Sequence, residues 1–322
     1  MYFETPSFVS NSLHLISIIT TPIHLIGFYC ILFKTPESMK SVKWGMFHVH
    51  FWCTLMDWSL TVITIPYLLS PVAAGVPLGF ANVLGISTDF QCYFALSSVA
   101  AEGMAFVLIF ENRYFLIFAR NTLWRYIRVV FIIINYCAVF CVFMPLLTMI
   151  PEQTEARKAI LPDLPETLDV KLIFVLSTDI RYILISAVFM ESFLSTEAGI
   201  FVVLLLTNFK LTRSAQHSLK TMKLQKKFLL AMYPEIDGVL KTNTTFKAAV
   251  MFFNLVIPVS YFIFSTVSKL HNQTANNFSI LILSLNGIAS TTIMLWVHKP
   301  FREACFDLFR CENKMSNTSN LS

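Results

Sequence analysis

Ionisable side chains interrupt several long apolar stretches of this chain, and their chemistry is the first thing to explain. His24, Asp57 and Glu102 each stand in such a stretch, and none of the three stretches contains Lys or Arg. A charge at the centre of a bilayer costs roughly 2.5 to 3.5 kcal/mol, so such groups normally face a bundle interior and bind one another. We therefore expect the three to form a polar network, with water or a cation. The alternative is a protonated carboxyl that hydrogen-bonds separately to a neighbouring helix.

Two further carboxyl groups, those of Glu191 and Glu197, share one apolar stretch. About ten large apolar side chains at about −0.5 kcal/mol each offset one buried charge, but hardly two. One of the pair must therefore reach the outer interface or a watered cavity, and Glu191 lies nearer the outside. We expect both to be candidates for a ligand cavity.

The residues offer little for catalysis. Cys137 and Cys141 are four residues apart, a spacing at which two thiolates can share a metal, but in an apolar helix they are expected to be small buried hydrophobes. The sequence contains no zinc spacing, phosphate-binding loop, nucleophile elbow or H-E-x-x-H motif. We expect no enzyme, no cofactor and no metal site.

The elements that must position these residues follow from composition. Apolar residues make up 56% and charged residues 13% of the 322, against about 45 to 50% and about 25% in an ordinary globular protein. The mean hydropathy is +0.65. About 20 apolar residues in a helix cross the hydrocarbon layer, which predicts an all-α, seven-helix bundle in one domain over residues 1–322. The predicted spans are 13–33, 44–69, 91–110, 129–150, 182–208, 248–267 and 278–297. Residues 71–90 are expected to form a loop, because their prolines and glycines would break a lipid-exposed helix.

Charge distribution predicts the orientation. Of the 24 Lys and Arg residues, 19 fall in the segments that would be inside if the N-terminus is outside. The basic residues therefore indicate membrane topology rather than nucleic-acid binding, and residues 303–322 become a cytoplasmic tail. Asn272 and Asn277 match the glycosylation acceptor pattern in the last outer loop.

The outer face lacks one covalent link. Many seven-helix receptors join the top of the third helix to the second outer loop by a disulfide. Here Cys92 lies near the outer end of the third span, but residues 151–181 contain no cysteine. That bridge cannot form.

The inner end of the third span carries the sequence Glu111-Asn112-Arg113-Tyr114. An arginine held by a neighbouring carboxylate at the membrane edge can be released to a groove that accepts a partner helix. The alternative is that Arg113 is only a positively charged membrane anchor. Both interpretations stay open.

The seventh span ends in a charged turn, where proline stops the membrane helix. The candidates in this turn for coupling to a partner on the inner side are His298, Lys299, Pro300 and Arg302. The residues that follow have an amphipathic pattern, which predicts a short helix in the inner interface. Cys311, at its end, is a candidate palmitoylation site.

Taken together, these segments resemble the nematode serpentine chemoreceptors of class H, the Srh family. The shared segments run along nearly the whole chain and include Pro22-Ile23-His24, Lys34-Thr35-Pro36, His50-Phe51-Trp52, Asp57, Glu111-Asn112-Arg113, Gln225-Lys226-Lys227-Phe228 and His298-Lys299-Pro300-Phe301-Arg302. The resemblance implies a seven-helix receptor that detects a small chemical cue and signals through a heterotrimeric G protein. It also implies a plasma-membrane location in the sensory cilia of chemosensory neurons. Residues 233–238 depart from the family pattern, which leaves the inner boundary of the sixth helix open over residues 228–247.

Two other functions remain alternatives. A peptide-activated receptor is the first. A transporter is the second, but it would show paired repeats and interrupted helices near the midplane, and neither is visible in the sequence. The expected partners are a heterotrimeric G protein, a small-molecule ligand and the lipid bilayer, with no nucleic acid.

Overall fold

The chain folds into a bundle of long helices with a small sheet at one end. A computed structural model describes residues 2–160, 169–179, 181–218 and 244–307. In chain order the helices are α1 Pro6–Phe33, α2 Lys40–Trp58, α3 Phe80–Val83, α4 Thr88–Tyr114, α5 Trp124–Cys141, α6 Gln153–Ile160, α7 Arg181–Ser218, α8 Thr244–Ser268, α9 Gln273–Ser284, α10 Asn286–Val297 and α11, residues 299–307. The strands are β1 Pro66–Leu68, β2 Ala74–Pro77 and β3 Phe174–Val175.

Within the described residues, five helical segments are long and apolar enough to cross a membrane. They are Pro6–Phe33, Thr88–Asn112, Trp124–Leu147, Ile183–Leu204 and Gln273–Val297, with Leu255–Ser268 as a shorter apolar helix. The second predicted span corresponds to α2, which carries two lysines, two histidines and Asp57 and is accordingly less apolar. The residues immediately before α8 lie outside the described part, so the inner boundary of the sixth helix stays a prediction.

The second span is shorter than the sequence predicted. We expected helix to Leu69, but α2 ends at Trp58 and continues as a π-helical turn, Ser59–Ile63. Ile65 has a positive φ of 42°, and β1 begins at Pro66. Residues 71–90, expected to be a loop, contain β2 and the short helix α3.

A three-stranded sheet, called the outer sheet after its predicted position, takes the place of the disulfide that the sequence excludes. The sheet order is β1-β2-β3, with all pairs antiparallel and Ala74 opposite Val175. The Gln153 amide in α6 then binds both backbone groups of Val175: its Oε1 accepts from the nitrogen at 2.9 Å and its Nε2 donates to the oxygen at 3.0 Å. Arg157 Nε donates to the Ile173 oxygen at 2.7 Å. Backbone pairing, rather than a covalent bond, therefore joins the two outer loops.

This sheet covers the N-terminal ends of α1 and α9. Its buried face packs in one apolar cluster with Val9 and Leu13 of α1 and Ile280 of α9. The Tyr67 hydroxyl donates to the Glu4 carbonyl at 2.5 Å, which ties the N-terminal segment to the sheet. At the start of α7, hydrogen bonds from Arg181 lower the pKa of the exposed Asp179 to about 2.

The seventh span, Gln273–Val297, is interrupted at one residue. We expected an unbroken span, but α9 ends at Ser284 and α10 starts at Asn286, with Leu285 between them at φ −86° and ψ −5°. The first N–H groups of a helix have no partner in that helix. One of these groups in α10, the Gly287 N–H, donates to the Asp57 carboxyl inside the bundle.

Candidate functional site

The centre of the site is a contact between the first and second helices. His24 Nε2 lies 2.8 Å from Asp57 Oδ2, and both side chains have no exposed surface. A hydrogen bond between these two atoms needs one proton, carried by either the imidazole or the carboxyl group. A carboxyl buried at this depth is costly without such a partner, so the pair stabilises the contact between α1 and α2.

The other oxygen of the Asp57 carboxyl is bound by the break in the seventh span. Gly287 N donates to Asp57 Oδ1 at 3.2 Å. Residue 287 must be glycine for this approach, because a Cβ there would lie 2.5 Å from Asp57 Oδ2. Asp57 therefore acts as an acceptor at the N-terminus of α10, where the partial positive charge of a helix favours an acidic group.

Thr291 and His50 extend the network. Thr291 Oγ1 lies 3.1 Å from His24 Nδ1 and 3.3 Å from His50 Nδ1, and it donates to the Gly287 carbonyl at 2.9 Å. His50 Nε2 lies 2.9 Å from the His24 carbonyl; since a carbonyl only accepts, this nitrogen carries the proton. All of these side chains are buried, so the network binds α1, α2 and α10 together.

Glu102 adds the third helix. Its Oε1 accepts from Asn286 Nδ2 at 3.1 Å, and the Cys53 thiol also interacts with the carboxyl group. Among the described residues, Glu102 Oε2 and Asn286 Oδ1 are buried without a hydrogen-bond partner. The structure thus brings His24 and Asp57 into direct contact. Glu102 has no described hydrogen bond to this pair, but it binds Asn286, the residue next to Gly287 at the helix break.

At the end of the third helix, the described partners of Glu111 come from the next helix. Glu111 is fully buried, and its oxygens accept from Trp124 Nε1 at 2.7 Å and Arg128 Nη2 at 2.8 Å. Positions 111 and 113 lie on opposite faces of α4, since two residues turn a helix by about 200°. The side chain of Arg113 is outside the described part. The described partners of Glu111 therefore come from α5.

The inner end of the seventh span forms a turn into α11. Phe301 is fully buried and packs with Cys30 and Ile31 of α1 and with Met294. The candidate coupling residues lie around Phe301. Lys299 Nζ is 3.7 Å from Glu303 Oε1, and Arg302 Nη1 donates to the Trp296 carbonyl at 3.3 Å. Pro300 lies in the first turn of α11, after His298. The short helix after the seventh span is thus present to residue 307, and Cys311 lies outside the described residues.

Glu191 and Glu197 do not line one cavity. Glu191 Oε1 accepts from Ser260 Oγ of α8 at 3.0 Å, whereas Glu197 interacts with Asn135 of α5. Six residues of helix rotate the chain by about 240°, so the two carboxyls lie on different faces of α7. Each carboxyl therefore contacts a different helix, and a ligand cavity at either residue stays a prediction.

The two glycosylation candidates differ in exposure. Asn272 is exposed and caps α9, with its Oδ1 accepting from Ala275 N at 3.0 Å. Asn277 is only 1% exposed, its Nδ2 donates to the Phe3 carbonyl at 2.7 Å, and its Oδ1 accepts from Gln273. A glycan does not fit on Asn277 in the folded chain, because that amide nitrogen is buried and bound. Cys137 and Cys141, expected to be buried, are both exposed on α5.

Sequence reasoning missed the partners that complete the site: His50, Gly287, Thr291, Asn286 and Arg128. Two signals were present. The Asn286-Gly287 pair is a turn-forming dipeptide within an apolar stretch. The buried acid at position 111 also needed a cation, although four arginines of that inner segment could have supplied it.

Comparison with known proteins identifies the class. A family model described as the serpentine type seven-transmembrane G-protein-coupled chemoreceptor Srh matches residues 4–311. This defines a seven-helix membrane receptor, which agrees with the helical bundle and its apolar spans. The chain belongs to the Srh family of serpentine chemoreceptors. Serpentine receptor class H-72 of Caenorhabditis elegans is 29% identical over 99 residues, which is 31% of this chain and 29% of that relative. The aligned stretch thus spans less than a third of the relative's length.

Proposed function

We propose that this receptor detects a small, odorant-like chemical cue and activates a heterotrimeric G protein. The observation that carries the proposal is the buried network of His24, Asp57 and Glu102, which joins the first three helices to the break in the seventh. Rearrangement of packed helices transmits a signal when an element has two arrangements that a ligand can bias. The network is that element: its bonds to α10 depend on the position of the helix break.

The outer end of the bundle favours a small cue over a peptide. The outer sheet and the N-terminal segment already cover α1 and α9, through the apolar cluster and the bond from Tyr67 to Glu4. A peptide would have to displace these contacts to reach the network, whereas a small molecule needs only a gap between helices. Transporters also contain interrupted membrane helices. The family to which this chain belongs is nevertheless one of receptors.

A reporter assay tests the function. The full chain is expressed with a promiscuous Gα subunit and a calcium indicator, and it is exposed to separate panels of volatiles and peptides. We expect responses to one or more volatiles and none to peptides. A response confined to peptides would contradict the small-cue proposal.

Arg113 supplies the test of G-protein coupling. Arg113→Ala is expected to abolish the response at unchanged surface expression, while Arg125→Ala, an exposed arginine at the start of α5, is the matched control and keeps it. A normal response from Arg113→Ala would reduce this residue to a membrane anchor.

We further propose a plasma-membrane location in sensory cilia, with the N-terminus outside. Asn272 then lies outside, and the Asn317 and Asn320 acceptor sites lie inside. Glycosidase treatment should shift the wild-type band but not that of Asn272→Gln. A shift in a variant that keeps only Asn317 and Asn320 would show that the orientation is wrong.

A further inference from the structure

The Glu111 carboxylate has two described donors, and both come from the start of α5. Trp124 Nε1 and Arg128 Nη2 approach its two oxygens at 2.7 and 2.8 Å. The Arg128 guanidinium also lies 4.1 Å from the centre of the Phe115 ring, in the π-helical turn that follows α4. Its third contact is Asn112 Oδ1 at 3.4 Å. One arginine therefore contacts both α4 and the beginning of the second inner loop.

We propose that Arg128 is a positioning residue for G-protein coupling, which holds the second inner loop, residues 115–123, in one shape through its ion pair with Glu111. The proposal rests on the proposed function and adds a residue to its coupling face. Arg128, Glu111 and Trp124 together are called the inner brace below. It is a fixed support of the loop rather than a contact that opens on activation.

The location of the inner brace explains why it need not open. Its members belong to α4 and α5, which share one apolar cluster with α7 through Met104, Val139 and Phe201. Trp124 packs against this cluster, with its ring centre 5.4 Å from Phe131 and 6.0 Å from Phe201. The described contacts of the brace do not extend to α8 or α10. A movement of the sixth or seventh helix therefore leaves the ion pair intact.

The charge balance makes the pair necessary for the loop. Glu111 is fully buried and Arg128 is 20% exposed, so loss of either partner leaves the other without its opposite charge, and Glu111 then keeps only the Trp124 hydrogen bond among its described partners. The loop then has to move to bring water or another donor to Glu111. Since residues 120–123 at its tip are largely solvent-exposed, few packing contacts resist that movement.

Basal nucleotide exchange provides a test that needs no ligand. Wild-type and variant receptors, each full-length and fused to a Gα subunit, are compared in membranes at matched surface expression. The measured quantity is the rate at which they bind labelled GTPγS. We expect Arg128→Gln to reduce the receptor-dependent rate by about two- to thirtyfold, the range in which single residues modulate coupling. Arg125→Gln is the matched control, an exposed arginine one turn earlier on α5, and it should keep the wild-type rate. A wild-type or raised rate in Arg128→Gln overturns the proposal.

A charge exchange separates positioning from mere folding. The variant Glu111→Arg/Arg128→Glu restores an opposite pair between α4 and α5 and should recover part of the lost exchange. Each single substitution, Glu111→Arg or Arg128→Glu, should keep the low exchange rate at equal expression. No recovery in the exchanged pair counts against a role of the ion pair.

The exchange assay distinguishes failure of the proposed function from failure of the positioning role of Arg128. If the wild-type fusion shows no exchange above unfused Gα, the coupling function and the coupling role of Arg128 fall together. If wild type exchanges and Arg128→Gln matches it, only the positioning role is overturned. Thermal unfolding of Glu111→Gln, Arg128→Gln and the double variant reports the ion pair by itself: the brace predicts that the losses in Tm are less than additive, and additive losses contradict it.

Discussion

The buried network of His24, Asp57 and Glu102 and the inner brace both bury a carboxyl group, but they bind different parts of the chain. Asp57 is held by His24 of α1 and by the backbone of Gly287 in α10, so its partners lie at opposite ends of the sequence. Glu111 is held by Trp124 and Arg128, within 17 residues of it. The first arrangement depends on how distant helices are placed, while the second depends on one loop.

This difference separates a contact that can report a change of state from one that supports a surface. The network uses bonds to the first turn of α10, which change if the seventh span moves against α1 and α2. The inner brace joins neighbours in one apolar cluster and keeps its bonds through such a movement. Substitutions in the network should therefore alter both stability and ligand response, and substitutions in the brace should alter coupling.

The largest effect is expected at Gly287. In Gly287→Ala the new Cβ would meet the Asp57 carboxyl at 2.5 Å, so the carboxyl has to move away from both of its partners. Breaking a buried, hydrogen-bonded charge of this kind costs about 3 to 4 kcal/mol. We expect little folded receptor at the cell surface, measured by an N-terminal epitope tag on intact cells.

The matched control is Gly199→Ala in α7, where a Cβ meets nothing within 4 Å. This substitution should be neutral, or stabilising by about 0.5 to 1 kcal/mol, because alanine restricts the unfolded chain. Equal surface levels for the two alanine variants would contradict the described position of the helix break.

Thr291→Val should have an intermediate effect. Valine keeps the shape of threonine but removes the hydroxyl that bridges His24 Nδ1 and His50 Nδ1. Leaving buried imidazole nitrogens unpaired costs about 1 to 3 kcal/mol. We expect a lower Tm for the purified receptor in detergent, with Thr291→Ser close to wild type. A Tm for Thr291→Val equal to that of wild type would remove Thr291 from the network.

Trp124→Phe should have the smallest effect. Phenylalanine keeps an aromatic ring against Phe131 and Phe201 but cannot donate to Glu111, which still has Arg128. We expect a loss of about 1 kcal/mol in stability and a modest fall in GTPγS exchange, with the response threshold for a volatile unchanged. A shift in that threshold would show that the brace and the network are coupled.

The sequence predicted the parts of this receptor that depend on apolar length and depth. Uninterrupted apolar runs indicated the long helices, and the cost of a charge in such a run indicated that His24, Asp57 and Glu102 face one another inside the bundle. The short sheet was not predictable, because β1 and β3 are three and two residues long and pair only through the fold. The sequence excludes the disulfide because residues 151–181 contain no cysteine, but the contact from Gln153 to Val175 leaves no periodic signal.

The helix breaks and the partners of the buried carboxyl groups could not be predicted from the sequence for a different reason. The π-helical turn and the gap at Leu285 lie in apolar sequence, where hydropathy does not distinguish a bent helix from a straight one. Likewise, the acid-x-Arg spacing suggested Arg113 as a partner of Glu111, but it gave no sign of the described ion pair with Arg128 of α5. Spacing along one helix cannot predict a contact made across two.

The most direct test of the signalling role is the volatile-evoked calcium response of Asp57→Asn, measured at surface expression matched to wild type. Asparagine retains the size of the side chain and can still accept from Gly287 N, but it removes the carboxyl that shares a proton with His24. Glu155→Gln, an exposed carboxyl in the outer helix α6, serves as the control and should respond normally. We predict that Asp57→Asn needs at least about tenfold more volatile for the same response, within the usual range of coupling energies. A normal dose–response curve for Asp57→Asn at normal expression would contradict the signalling role and leave the network as a structural contact.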